Sequence, residues 1–249
     1  MQIWATGDCH GNFRRFQKEY FPEQKDRTRE DYVIILGDFG GIWSDSPHER
    51  EALDWLESLP FTTLWVDGNH ENYDLLVEYP IREWQGGKVQ FIRPHVIHLL
   101  RGQVFHLGGY SFFTMGGASS HDVQDGILDP EDPEFYYKLK HFRSTGAMFR
   151  VNHWSWWKEE LPGKAEYAEA RRNLKRAGYK ADYILTHCAP SSIVDVLSGG
   201  TYSHDPLTDF LEEVKQKTDY RHWLFGHYHD NRAIDEKHIL LYEQLVQVV

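Results

Sequence analysis

Five apolar runs in this 249-residue sequence end the same way, and that repetition narrows what the chain can fold into. Each run stops at a small residue followed at once by a side chain able to bind a metal. The endings are Gly7-Asp8-Cys9-His10-Gly11, Gly37-Asp38, Gly68-Asn69-His70-Glu71, Thr186-His187 and Gly226-His227-Tyr228-His229. The runs themselves, Ile3 to Thr6, Tyr32 to Leu36, Thr62 to Asp67, Tyr183 to Thr186 and His222 to Phe225, are short and continuous, as buried strands are. Layered α/β folds bind ligands beyond the carboxyl ends of their strands. Five such endings therefore gather their polar groups along one edge of the molecule. Glycine at the break lets the backbone turn sharply and leaves room for an ion.

Helical signals separate the strands. Ser46, Pro47 and Glu49 have the form of a capping box with proline in the first turn, and Ala52, Leu53, Leu56 and Leu59 give the apolar stripe behind it. A second helix is expected from about Lys164 to Ala177, stopped by Gly178. A third opens at Asp205-Pro206 and turns Leu207, Phe210, Leu211 and Val214 inward. This alternation predicts an α/β layered fold. From Val96 to Met115, short β-like runs broken by Gly102 and Gly108-Gly109 suit hairpins, and the final residues alternate like a closing hairpin. Gly116 to Pro162 has no clear period and reads as a lid-like or binding segment at about 116–162. With no internal repeat or low-complexity linker, residues 1–249 are expected to form one domain.

Composition limits the partners. Hydrophobic residues make up 41% of the chain, enough for a substantial core. A net charge of -11 without a basic run argues against a protein that grips long nucleic acid through its backbone. Nucleic acid stays admissible only as a substrate. No apolar run reaches membrane-spanning length, and Met1 leads directly into a strand rather than a signal peptide. A cytoplasmic protein without a membrane partner is expected. Cys9 and Cys188 are too few for a disulfide framework. Each neighbours a metal-capable residue on a strand, so it is expected to face the core instead.

Asp8, His10, Asp38, Asn69, His187, His227 and His229 together mix carboxylate, amide and imidazole donors. Such a set suits Mn, Fe or Zn, whereas Ca and Mg prefer oxygen alone. Seven donors exceed the needs of one ion and match two ions sharing a carboxylate. The five blocks resemble the calcineurin-like metallophosphoesterase superfamily, whose pattern runs Asp-x-His, Gly-Asp, Gly-Asn-His-Glu/Asp, His and Gly-His-x-His in that order. All five stand in order between Gly7 and His229.

The resemblance implies a four-layer α/β/β/α sandwich of two mixed sheets flanked by helices, with the site at the strand ends. It implies two divalent metal ions. The first would be held by Asp8, His10, Asp38 and His229, the second by Asp38, Asn69, His187 and His227, with Asp38 bridging. It gives His70 the part of a histidine that is not a ligand and assists the leaving group. The implied reaction is hydrolysis of a small phosphate-ester substrate by in-line attack of a hydroxide held between the ions. Protein Ser/Thr phosphatases usually continue the second block as Asp-x-x-Asp-Arg-Gly, whereas Asp38-Phe39-Gly40-Gly41-Ile42-Trp43 stands here. They also lack the Gly-His-x-His ending. The chain therefore looks closer to the phosphodiesterase-like branches, with a phosphomonoesterase or protein phosphatase as the alternative. The same departure leaves the carboxylate partner of His70 open. A non-catalytic scaffold of the same fold tends to lose ligands, and this chain keeps every position.

A second resemblance, to bacterial and phage-type relatives, covers Gly116-Gly117-Ala118-Ser119-Ser120-His121-Asp122, Arg150, Trp156, Trp157 and Glu160. If Arg150 reaches the site it would clamp phosphoryl oxygens. His121, His141 and His153 are candidates to line the site, being in the same segment. The tryptophans are expected to pack, and the interrupted stretch Arg171-Arg172-Asn173-Leu174-Lys175-Arg176 to form a solvated helix face.

Overall fold

A computed structural model describes all 249 residues. The first two fifths of the chain supply strands β1 (Ile3–Thr6), β2 (Tyr32–Leu36), β3 (Thr62–Val66), β4 (Ile81–Trp84), β5 (Gly87–Arg93) and β6 (Val96–Leu99). Helix α1 (Pro47–Ser58) and the single turn α2 (Tyr73–Leu76) fall between them. The remainder supplies β7 (Gln103–Leu107), β8 (Tyr110–Met115), β9 (Gly126–Leu128), α3 (Phe135–Thr145), β10 (Phe149–Val151), α4 (Lys164–Arg176), β11 (Tyr183–Thr186), α5 (Ser191–Ser198) and α6 (Pro206–Lys217). It ends with β12 (His222–Phe225), β13 (Arg232–Ala233), β14 (His238–Leu240) and β15 (Val246–Gln247).

These strands build two mixed sheets, ordered β15-β1-β2-β3-β6-β5-β4 and β13-β14-β12-β11-β8-β7. The hydrophobic alternation explains the layering. Ile34, Leu36, Leu64 and Val66 face one way and meet Phe105, Phe112, Leu185 and Leu224 of the other sheet. The intervening Val33, Ile35 and Trp65 face the opposite way and pack with Leu53 and Leu56 of α1. The second sheet is covered in the same manner by Leu174 of α4, Ile193 of α5 and Leu211 of α6. The result is the expected α/β/β/α sandwich.

Register then fixes the working edge. In the first sheet Thr6 lies beside Ile35, and Leu36 beside Val66. In the second, Thr186 lies beside both Met115 and Phe225. Parallel strands stopping in step deliver Asp8, Asp38, Asn69, His187 and His227 to the same end.

Several local expectations change in the structure. Ser46 caps α1 by accepting from Glu49 N at 3.3 Å, but Glu49 reaches past the cap to the backbone of Trp43 and Ser44, so the reciprocal half of the box is absent. Near the end of the chain β13 and β14 do form an antiparallel hairpin, with Arg232 beside Leu240, but the last residues leave it. β14 runs parallel to β12 in the second sheet, while β15 pairs antiparallel with β1 in the first, so the C-terminal segment laces the two sheets together. The segment expected to be irregular folds as a small unit of β9, β10 and α3. Its core is Leu128, Phe135, Leu139 and Val151. No helix is long and apolar enough to cross a membrane.

Candidate metal centre

Each strand ending is held by backbone bonds from a neighbour. The N–H groups of Cys9 and His10 donate to Asp38 O at 3.1 and 2.7 Å. Asp38 Oδ1 accepts from His70 N at 2.8 Å, and Asp8 Oδ1 accepts from His227 N at 2.9 Å. The glycines before these residues are required by close approach: a Cβ on Gly226 would strike Asp8, and one on Gly68 would strike Asp38. Four of the candidate ligands adopt left-handed backbone, His10 at φ 46°, Asp38 at 47°, His227 at 71° and His229 at 49°. Such conformations cost roughly 1–3 kcal/mol per residue and cluster at functional sites. Here they fall at four of the seven residues whose side chains gather at this edge.

Six of the seven sequence-predicted donors come together, in two groups, and His227 stands beside the second with its Nε2 on His121 Nε2 at 2.8 Å. In the first, His229 Nε2 lies 3.0 Å from Asp8 Oδ2 and 3.2 Å from His10 Nε2. Asp8 Oδ2 is buried and accepts no hydrogen bond. In the second, His187 Nε2 lies 3.2 Å from Asn69 Oδ1 and 3.3 Å from Asp38 Oδ1, with the His227 ring 4.9 Å from the His187 ring. Asp38 faces both groups, since its Oδ2 is 3.7 Å from His10 Nε2. His187 Nδ1 donates to Leu36 O at 2.8 Å, which leaves Nε2 as the nitrogen presented to the site.

The electrostatics match a cation. Burial alone would depress His187, but the Asp38 and Asp8 carboxylates raise it to about 10. Asp38 is held well below the usual carboxylate range, against its burial, by His187, His70 and His10. His227 is driven down by burial and by His187 beside it. Two buried carboxylates thus face the imidazoles of His187, His10 and His229, and Asp8 Oδ2 is left without a hydrogen bond in the cluster. This donor set fits divalent ions of the borderline class.

His70 stands beside the donors and not among them, its ring 5.1 Å from that of His10. Burial lowers its pKa, Asp38 opposes that, and Arg150 adds to it. Arg150 is therefore close enough for its charge to be felt. Its guanidinium is not free, since Nε donates to Asp122 Oδ2 at 2.8 Å and Nη2 pairs with the same oxygen.

The model of the calcineurin-like phosphoesterase family matches residues 1–231. The chain belongs to that family. As a calcineurin-like phosphoesterase it is also similar to the lariat debranching enzyme of Danio rerio, 23% identical over 166 residues, or 59% of this chain and 28% of that enzyme. Lariat debranching enzyme A of Xenopus laevis is 25% identical over 161 residues, 58% of this chain and 29% of that protein. The chain thus matches under a third of the length of these relatives.

Other residues of this phosphoesterase shape the site without having been singled out for it. Glu71 is fully buried; its Oε1 accepts from Phe39 N at 2.8 Å and so ties the Asp38 loop down, while burial pushes its pKa well up. Arg15 donates to Asp8 O at 2.7 Å and to Gly7 O at 3.2 Å, bracing the β1 ending. Ser120 and Glu160, from the secondary motif, form a buried chain to Asn69. Asn69 Nδ2 donates to Ser120 Oγ at 3.4 Å, and Ser120 Oγ donates to Glu160 Oε2 at 2.6 Å. His121 reaches His227, Nε2 to Nε2, at 2.8 Å. His153 instead bonds Asp74, and His141 is exposed on α3. Trp157 is buried with its Nε1 on Asp74, Trp154 is half exposed, and both cysteines lie in the core. Glu71 follows His70 in the primary motif, so the signal was present. What marks its work is a loop contact across 32 residues, which spacing does not reveal.

Proposed function

We propose that the protein hydrolyses phosphate esters, diesters in preference, with two divalent ions bound by Asp8, His10, Asp38 and His229 and by Asp38, Asn69, His187 and His227. The observation that carries this is the position of Asp38, whose two oxygens face the two donor groups separately. A bound pair of such ions supplies Lewis acidity to the phosphoryl oxygens and a water ionisable near neutral pH.

The chain's own residues do the rest. His187 keeps Nε2 directed at the site because Nδ1 is engaged by Leu36 O. Asn69 offers its amide oxygen inward while Ser120 takes its amide hydrogen. His70 is free of the donor groups and is assigned to the leaving-group oxygen, to which its imidazole N–H donates. Arg150, tied to Asp122, acts at most through its positive charge near the phosphoryl group.

The test is metal titration of the purified protein with Mn, followed by assays on bis-p-nitrophenyl phosphate and p-nitrophenyl phosphate. About two equivalents of Mn at full activity are expected, with higher kcat/KM on the diester. Saturation at one equivalent with full activity would end the two-ion reading, and a higher kcat/KM on the monoester would favour a phosphomonoesterase.

A further inference from the structure

A cavity of about 650 Å3 opens directly beside His227, between the Gly117–Gln124 loop and the connection from α5 to α6. Its size falls within the range of small-molecule sites. An aromatic path leads into it from the metal centre. The His121 ring lies 4.8 Å from the His227 ring, and the Tyr202 ring lies 5.4 Å further on from His121, tilted by 35°. Tyr202 is 48% exposed, so a face of its ring remains available.

The lining defines the chemistry that fits. Val123, Met148 and Val194 provide apolar wall. No Lys or Arg lines the cavity. Its carboxylate, Asp205, is already engaged: Oδ1 caps α6 through Leu207 N and Thr208 N, and Oδ2 accepts from Ser119 Oγ at 2.6 Å. His204 is engaged with Asp195. The polar groups left over are neutral, among them Gln124 and Ser203. A second phosphate or a carboxylate would find no counter-charge here. An uncharged planar ring would find an aromatic face, apolar walls and a few neutral hydrogen-bonding groups.

We propose that this cavity holds the retained arm of a phosphodiester substrate, and that the arm is an uncharged ring system of aryl or nucleoside type. The proposal rests on the phosphodiesterase reading above. The phosphoryl group then lies at the donor cluster, with the leaving group toward His70 and the retained arm over His121 and Tyr202. His121 and Tyr202 act as specificity residues, and the reacting atoms do not involve them.

Three diesters with one leaving group separate the possibilities: methyl, phenyl and thymidine 5′-(p-nitrophenyl) phosphate. With the Mn-loaded protein, KM is expected to fall along that series. Tyr202→Ala should raise KM for the phenyl and thymidine esters by about tenfold, as loss of one stacking face does, and leave the methyl ester within about twofold. Ser203→Trp, which fills the mouth from an exposed position, should exclude the two large esters and spare the methyl ester. Thymidine alone should inhibit hydrolysis of the methyl ester weakly in the wild type and not in Ser203→Trp. If all three diesters are hydrolysed with equal KM, or both variants affect the methyl ester as strongly as the others, the cavity assignment is overturned and the diesterase reading stands. If the wild type hydrolyses none of them, both fall together.

Discussion

His70 occupies a place that the neighbouring histidines do not. Its backbone N–H is committed to Asp38 Oδ1, yet its ring makes no hydrogen bond to either donor group and sits edge-on to His10. Burial moves the imidazole below its ordinary pKa, with Asp38 opposing, and under the proposed function its ring is assigned to the departing oxygen. His70→Asn should lower kcat by roughly 10²–10⁴-fold on an alkyl ester, the usual span for assistance of this kind. The loss should shrink for p-nitrophenolate, which departs with little help. Metal content, measured by elemental analysis, should stay unchanged. Equal losses on both esters would remove His70 from the leaving group, and loss of metal would make it a ligand. The donors were legible in the sequence because each lies within a few residues of the end of a buried strand, and the part given to His70 came from the resemblance carried by Gly68-Asn69-His70-Glu71. Glu71 and Arg15 were not, because each works across a gap that only the folded loops close, and His121 was a candidate by its segment alone, its contact with His227 being set by the fold.

Among the elements, the insertion between β8 and α4 is where periodicity said least, and its position follows from how it is fastened. Arg101 is buried and donates to Asp67 Oδ2 at 2.6 Å, Tyr73 Oη at 2.7 Å and Glu159 O at 2.8 Å. Glu160 next to it takes both the N–H and the hydroxyl of Ser120, at the opposite end of the insertion. Entry and exit are thereby pinned together under the loop that carries Asn69. The helix inside, α3, buries Phe135 and Leu139 one turn apart, with Phe142 packed behind them. That stripe is a helical period, hidden by aromatic residues on every face and by a first turn with no side-chain cap. The capped helices α1 and α6 were readable for the opposite reason.

The same fastening makes Ser120 a positioning residue. Asn69, Ser120 and Glu160 are 6%, 8% and 5% exposed, so no water replaces a lost bond cheaply. Ser120→Ala leaves the Asn69 amide free to turn its nitrogen inward. Mn affinity of the second group, read by competition with a chelating dye, should fall by about 10–100-fold, the usual effect of removing a group that orients a ligand. Ser120→Thr keeps the hydroxyl and should restore most of it. Unchanged affinity in a folded Ser120→Ala protein would mean that Asn69 is oriented by His187 alone.

At the scale of the whole molecule, the donors are divided between the sheets. Asp8, Asp38 and Asn69 follow strands of the first sheet, and His187, His227 and His229 follow strands of the second. The sheets already share one apolar interior and are laced by the C-terminal segment, where Tyr242 stacks on the His229 ring at 4.5 Å. Ions bound across this seam hold only the native arrangement, since the unfolded chain cannot bring the two sets together. Metal should therefore stabilise the fold as a whole. At 100 times its dissociation constant, one ligand adds about 2.7 kcal/mol, which for a chain of this size raises Tm by roughly 5–10 °C. Mn added to chelator-treated protein should produce a shift of that order by calorimetry, as a single transition. Asp38→Asn removes the carboxylate that faces both groups and should abolish most of the shift. Tyr202→Ala, separated from the donors by the His121 ring, should leave it intact. Two separate transitions, with metal moving only one, would show that the sheets unfold independently and that the ions do not join them.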